Sequence, residues 1–424
     1  MSDLLEAEEV AAIARMMHPG KVVRLIGYYT VGREKHGYLG EHLTLTIHAT
    51  ASGNDYEHSF FVKSYNVPID GEMDFLGETG LFKKEVDLYE GLLQKLRDFT
   101  HAPECCPKFY FGKHRVLVLE DLTAENFGMK KESGFFDRDH VEQALKAVAA
   151  LHAGSVVFER KKQIELDKLL PSCFEEIINS TKENSPTYMW KGRQILDLTT
   201  AVDFLDKYTP EEKKRAKDRL PDVINNIYSL SKKSEKWPNV FVHGDMWHNN
   251  ILFRYEEGRP VDCRIVDFQF SRYAPPMHDV MHFLLFNTEK SYRDANEDEA
   301  LRIYYDFLSE NLALDDIDVN DFCKFETFME SKHHYKLLAI IQCLLSTHYL
   351  LGGRKVQEGP ELKYMDWKEA DIYLNERREK IIKNYFQDPV YAKRVGGILT
   401  ELIDNYILND TTKSSSNGLP PKNT

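Results

Sequence analysis

Between Lys21 and Lys63 three short segments, KVVRLIGYY, HLTLTIHAT and SFFVKSY, are rich in β-branched and aromatic residues and separated by glycine-bearing turns. Segments of this composition and length predict strands, and three in succession predict an antiparallel meander. The period then changes. FKKEVDLYEGLLQKL repeats apolar residues at Phe82, Val86, Tyr89, Leu92 and Leu93, the spacing of one helical face, with Glu85 directed inward beside Val86, Leu88 and Tyr89. KFYFGKHRVLVLEDL then reads as two further strands joined at a Gly-Lys turn and closed by Glu120 and Asp121.

From residue 140 onward the pattern is mainly helical: HVEQALKAVAALHA sets Val141, Leu145, Val148 and Leu151 on one face. A second, helical domain is therefore expected to begin near residue 123. The Lys- and Glu-rich stretch from 155 to 238 contains helical pieces such as PDVINNIYSL, without clear boundaries. Tyr335 to Leu351, YKLLAIIQCLLSTHYLL, is the longest apolar run; it contains Lys336, Gln342 and His348. It is shorter than the roughly 20 clean apolar residues that span a bilayer, and predicts a buried core helix. MSDLLEAEEVAAIARMM predicts an N-terminal helix capped by Ser2, not a secretory leader, because it lacks a basic segment before a long apolar run. TTKSSSNGLPPKNT at the other end is polar and aperiodic, and predicts a disordered tail. The expected organisation is residues 1–122, 123–409 and a tail at 410–424.

A chain of 424 residues exceeds the span of one ordinary core, which agrees with two lobes. The formal net charge of -13 argues against nucleic acid or an anionic membrane as the main partner, since both require a concentrated basic face. Six cysteines, Cys105, Cys106, Cys173, Cys263, Cys323 and Cys343, show no C-x-x-C spacing. Reduced thiols in a cytoplasmic protein fit them best.

The chemistry concentrates in FVHGDMWHNNILF at 241–253 and CRIVDFQFSRY at 263–273. Asp245 is followed five positions later by Asn250, and Asp267 ends a strand reading RIV. Phosphoryl transfer requires this inventory: a carboxylate near the attacking hydroxyl, with an amide oxygen and a second carboxylate to hold magnesium on the phosphates.

H-G-D-x-x-x-x-N followed by a strand and D-F resembles the catalytic and metal loops of kinases acting on small molecules, including aminoglycoside phosphotransferases and choline kinases. The fuller wording, HGDMWHNNILFRYEEGRPVDCRIVDFQFSRYAPPMHDVMHFL, is similar to the ecdysteroid kinase-like (CHK kinase-like) family of arthropods, over about residues 20 to 400. The resemblance implies an α+β, two-lobed protein-kinase-like fold, with an N-terminal antiparallel sheet lobe that binds nucleotide and a larger, mainly helical C-terminal lobe. It implies ATP and Mg2+ as cofactors, with Asp245 as the carboxylate for the acceptor hydroxyl and Asn250 and Asp267 as magnesium ligands. It places Lys63 on the phosphates, paired with Glu85, and makes LVLEDL a hinge whose backbone near Glu120 and Leu122 binds adenine. The implied acceptor is an ecdysteroid or another hydroxylated lipophilic metabolite, including xenobiotic alcohols.

Several features depart from protein kinases. The first turn, TVGREKHGYLGEH, holds Gly32, Gly37 and Gly40 but not G-x-G-x-x-G. Asp267-Phe268-Gln269 lacks the usual glycine, no A-P-E string follows, and His243-Gly244 stands where His-Arg is usual. These disfavour a protein substrate. His278 and His282 have the spacing of a helical zinc pair but no glutamate base beside them; the resemblance instead makes Asp279 a structural acid bonding the catalytic-loop backbone. Cys105 and Cys106 read as loop or core thiols. Trp247 fits either a platform under the substrate or core packing, and Arg272 and Tyr273 fit substrate contact, core or surface. A nucleotide-binding pseudokinase serving as a ligand-binding or scaffold protein is the alternative to an enzyme.

Overall fold

The computed structural model describes residues 4–33, 40–65, 79–130, 134–179, 181–182, 185–353 and 367–409. It divides into two compact units: residues 1–177 with 233–332, and residues 178–232 with 333–424. Gly37 and the tail from residue 410 lie outside the described residues, as does Ser2.

The first unit opens with α1 (Ala7–Met17), which starts at Glu6 rather than near Ser2. The Glu6 N–H donates to the Glu9 carboxylate at 2.8 Å, so a local acid three residues on supplies the acceptor the exposed N–H needs. The meander follows as β1 (Val23–Gly32), β2 (Glu41–Ala51) and β3 (Asn54–Ser64), and later β4 (Phe109–Lys113) and β5 (Val116–Glu120) complete a sheet ordered β1-β2-β3-β5-β4. All four pairings are antiparallel.

Strand alternation gives this sheet two chemically distinct faces. Leu43, Leu45, Ile47, Ala49, Phe60, Val62, Val116 and Val118 form one buried face, packed on Val10, Ile13 and Ala14 of α1. The opposite face carries the intervening residues, Thr44 and Thr46 on β2 and Ser59, Phe61 and Lys63 on β3. Lys63 is thereby turned away from α1, its side chain fixed by the same alternation that buries Val62.

Helix α2 (Leu81–Leu88) follows the meander and continues through a wider turn at Tyr89–Leu93 into Gln94–Phe99. The helical part of this unit is built on α3 (Arg138–Lys162), whose N-cap Asp137 accepts the His140 N–H at 3.1 Å. Two small sheets carry the loops of interest: β6 (Phe127–Gly128), β8 (Ile251–Glu256) and β9 (Arg259–Ile265) in one, β7 (Val240–Val242) and β10 (Arg272–Ala274) in the other. Helices α4 (Met277–Asn287) and α5 (Lys290–Ala313) follow, α4 being buried along its whole length. An antiparallel sheet followed by a mainly helical remainder is the α+β class expected.

The second unit is helical among its described residues. Pro186–Ala201 and Pro210–Asn225 begin at Ser185 and Thr209, hydroxyl caps followed by proline at the first helical position. The apolar run becomes the helix Lys332–His348, and Tyr335, Leu338, Ile341 and Leu345 are buried, as a core helix requires. His348 is buried too, its Nδ1 2.7 Å from the Tyr391 hydroxyl. No described helix is long and apolar enough to cross a membrane.

Candidate active site

The apolar strand β7 delivers the chain into the H-G-D loop, and Gly244 turns it there with φ +80°. A Cβ at this position would lie 2.3 Å from the Phe270 carbonyl oxygen, so the close approach of the two loops requires glycine. Helix α4 satisfies the loop's backbone. Asp279 accepts the N–H groups of His243 at 2.6 Å and Gly244 at 2.9 Å, and the His152 ring lies 3.2 Å away. Burial acts to raise the Asp279 pKa, but hydrogen bonds from His152 and His278 outweigh it and hold the carboxyl well below its usual range. One turn on, His282 Nδ1 accepts the Met246 N–H at 3.0 Å, and Asn287 donates to the Met246 carbonyl at 2.7 Å. Of the H-x-x-x-H pair, His282 thus serves the loop backbone directly while His278 lies against Asp279; with Asp279 and Asn287, His282 puts polar groups of a buried helix under residues 243–246.

Asp245 leaves this turn partly buried. Asn250 Nδ2 donates to its Oδ2 at 3.0 Å and to its carbonyl at 2.9 Å, closing the loop on itself. Burial pushes the Asp245 carboxyl up to about 7, the Asp267 carboxylate adds to the rise, and the Asn250 hydrogen bond opposes it.

The second loop begins at Asp267, in a left-handed backbone conformation with φ 71°. Phe268 is fully buried against Tyr89, Phe241 and His243. Lys63 Nζ donates to Glu85 Oε2 at 2.7 Å and to Asp267 Oδ1 at 3.0 Å. Burial alone would lower the Lys63 pKa; the carboxylates of Asp267 and Glu85 outweigh it and raise it. Burial pushes Glu85 up, against the pull of Lys63 and with the repulsion of Asp267. The backbone of Phe268 also acts to lower the Glu85 pKa.

The structure therefore brings Lys63, Glu85 and Asp267 into direct contact, and Asp245 into contact with Asn250. Glu120 and Leu122 stand apart. Glu120 pairs with Phe60 in the sheet while Lys63 pairs with Leu117, which sets the hinge about 10 Å further along the strand. The Leu122 N–H donates to the Glu120 carbonyl at 3.1 Å, and the Leu122 carbonyl accepts from Phe127 at 3.0 Å. Both hinge positions are thus folded into a tight turn. Gly32 ends β1 and Gly40 precedes β2.

Two groups not singled out from the sequence border this region. Phe61 lies two residues before Lys63 on the same face of β3, a placement that period-two counting from Lys63 reveals. Arg33 sits over the Phe61 ring at 5.5 Å and pairs with Asp121, which also accepts the Ser59 hydroxyl at 2.8 Å. That pairing joins positions 33 and 121, and no local pattern points to it. Arg272 is buried and bidentate to Glu176, at 2.6 and 3.1 Å. Tyr273 packs on Phe174. Trp247 lies beside His248, ring centroids 5.1 Å apart. All six cysteines are buried and unpaired by disulfides.

A sheet bearing a buried Lys-Glu pair, with H-G-D-x-x-x-x-N and D-F loops set in a helical region, defines the protein-kinase-like class. The chain belongs to the ecdysteroid kinase-like family, whose profile matches residues 34–315. It is similar in structure to an ethanolamine kinase of Plasmodium vivax, with 13% identity, TM-score 0.41, and coverage of 93% of this chain and 86% of that one. It is likewise similar to a choline kinase of Cryptosporidium parvum, with 14% identity, TM-score 0.40, and coverage of 95% and 98%. A choline/ethanolamine kinase family protein of Mesorhizobium loti gives 14%, 0.38, 93% and 98%. No curated protein sequence matches the chain.

Proposed function

We propose that the protein is an ATP-dependent kinase that transfers the γ-phosphate to a hydroxyl of a small lipophilic metabolite, an ecdysteroid or a comparable alcohol. The observation that carries this reading is the convergence of the Glu85 and Asp267 carboxylates on the Lys63 ammonium, at 2.7 and 3.0 Å. Phosphoryl transfer is mainly positioning and charge neutralisation, and these groups supply both.

In this reading the acceptor oxygen attacks phosphorus in line, the bond from phosphorus to the bridging oxygen breaks, and ADP leaves with the electron pair. Asp245 orients the hydroxyl and takes its proton on a carboxylate oxygen; a carboxyl held up to about 7 is matched to that task near neutral pH. Lys63, kept charged by its two acids, steadies the phosphates. Phe61, on the face that carries Lys63, offers an apolar surface to the adenine ring, and the carbonyls of Glu120 and Leu122, each with a second lone pair, could accept at its edge.

Asp267 and Asn250 suit magnesium. The Asn250 Nδ2 is committed to Asp245, which leaves its Oδ1 as a hard oxygen donor, and the Val266 N–H next to Asp267 donates to the Asn250 carbonyl at 3.0 Å. Among the described residues no three of His, Cys, Asp and Glu form a complete cage, and magnesium commonly takes one or two protein ligands together with phosphate oxygens. When bound, it neutralises charge on the β- and γ-phosphates.

The test is mass spectrometry of purified protein incubated with ATP, magnesium and a panel including ecdysone, 20-hydroxyecdysone, hydroxylated xenobiotics, choline and an aminoglycoside. Gain of one phosphate on a steroid is expected, reduced about 10³-fold in Asp245→Asn with ATP binding retained. Full activity of Asp245→Asn would remove Asp245 from its role. Nucleotide binding with no product on any acceptor would favour the pseudokinase alternative.

A further inference from the structure

Helix α2 meets the metal loop through two consecutive residues. Glu85 reaches the front of the loop through Lys63, whose Nζ donates to Glu85 at 2.7 Å and to Asp267 at 3.0 Å. Lys84 reaches the other end: its Nζ donates to the Ser271 carbonyl oxygen at 2.7 Å. The segment between these anchors contains Asp267 and the sealed Phe268.

Burying an ammonium is costly unless it is hydrogen-bonded and paired, and the surroundings of Lys84 are not especially favourable. Its side chain is buried, the Arg272 guanidinium stands near it as a second cation, and Glu176, the neighbouring acid, is already bidentate to Arg272. A lysine on a helix normally extends its head to water. Lys83, one residue earlier, does so, with 67% of its side chain exposed and Asp87 as partner. The inward course of Lys84 is therefore tied to what it grips.

We infer that Lys84 is a positioning residue that clamps α2 to the C-terminal end of the metal loop and so keeps Glu85, Lys63 and Asp267 in register. The inference rests on the kinase reading for its catalytic meaning, though the clamp itself is a property of the fold. In protein kinases the corresponding lysine-glutamate pair and metal-binding aspartate are brought into place by activation-loop phosphorylation. Here a side chain of α2 itself makes the connection, which renders the arrangement constitutive.

The experiment compares Lys84→Met with Lys83→Met as control, by hydrogen–deuterium exchange of the free protein and by calorimetric titration with ATP and magnesium. The clamp requires at least tenfold faster exchange of the amides of residues 81–88 and 268–272 in Lys84→Met alone, and at least tenfold weaker Mg-ATP binding. Exchange in Lys84→Met equal to that in Lys83→Met overturns it. If Lys84→Met does not fold, Lys84→Gln, which retains a donor on a shorter stem, is read in the same way. Absence of Mg-ATP binding by the wild type would count against the kinase reading, while the exchange comparison would still decide the clamp.

Discussion

His243 and His282 are held neutral by what they accept. The Asp245 N–H donates to His243 Nδ1 at 3.2 Å and the Met246 N–H to His282 Nδ1 at 3.0 Å. Protonating either nitrogen would place two donors face to face. Burial lowers both pKa values, that of His282 to about 3, with His278 adding to the shift and Asp279 opposing it. Because the unfolded histidine titrates near 6.5 and the folded one far lower, the unfolded state binds more protons below pH 6.5. Stability contributed by His282 is thus complete above that value and is lost as pH falls toward 3. Between pH 7.5 and 5 the loss from His282 alone amounts to about 2 kcal/mol. Denaturant titrations at the two pH values should show this loss, and His282→Gln should flatten the dependence; an unchanged slope would contradict the assignment. Gly244→Ala should cost more than about 1 kcal/mol, read as a lower denaturation midpoint, because its Cβ meets a backbone oxygen at 2.3 Å.

At the scale of elements, α4 is the bracket on which the H-G-D loop hangs. Asp279→Ala would leave the N–H groups of His243 and Gly244 without their acceptor, and the expected destabilisation is about 3 kcal/mol. A denaturation midpoint within error of wild type would show that the loop finds another partner. This bracket also shows what a linear reading reaches. The strands of the meander, α2 and α3 were legible because their large apolar residues recur with the period of the element, although α3 itself is buried on every side from residue 147 to 158. The contact of Lys63 with Glu85 was legible from residue type and order along the chain, and the roles of Asp245, Asn250 and Asp267 belong to the proposed reaction. The contacts of Lys84 and Arg33 were not legible, since a buried lysine and an exposed one carry the same letter, and their partners lie 187 and 88 residues away. The start of α1 was not legible because the acceptor for the Glu6 N–H is the carboxylate of Glu9, a longer side chain than the serine, threonine, asparagine or aspartate that usually marks a helix start. Nor could any local period join residues 178–232 to 333–424 as one unit.

For the molecule as a whole, ligand linkage offers a direct measurement. If Mg-ATP binds only the folded chain, nucleotide at one hundred times its dissociation constant should stabilise it by about 2.7 kcal/mol. A thermal shift should report this and should shrink when EDTA removes magnesium or Lys63→Met removes the phosphate contact; an equal shift in Lys63→Met would separate nucleotide binding from the Lys63 cluster. Stability and function part company at Asp267. Its φ of 71° is tolerated by asparagine and is natural for glycine, whereas most residues are strained there. Its charge also raises the pKa of both Asp245 and Glu85. Replacing it with asparagine removes the repulsion, and with glycine the backbone strain as well, at the loss of one partner of Lys63. Where those gains match the cost of leaving Lys63 with Glu85 alone, libraries ranked by soluble yield or heat resistance would retain such variants, so selection for good behaviour in the tube is blind at a residue the proposed reaction uses.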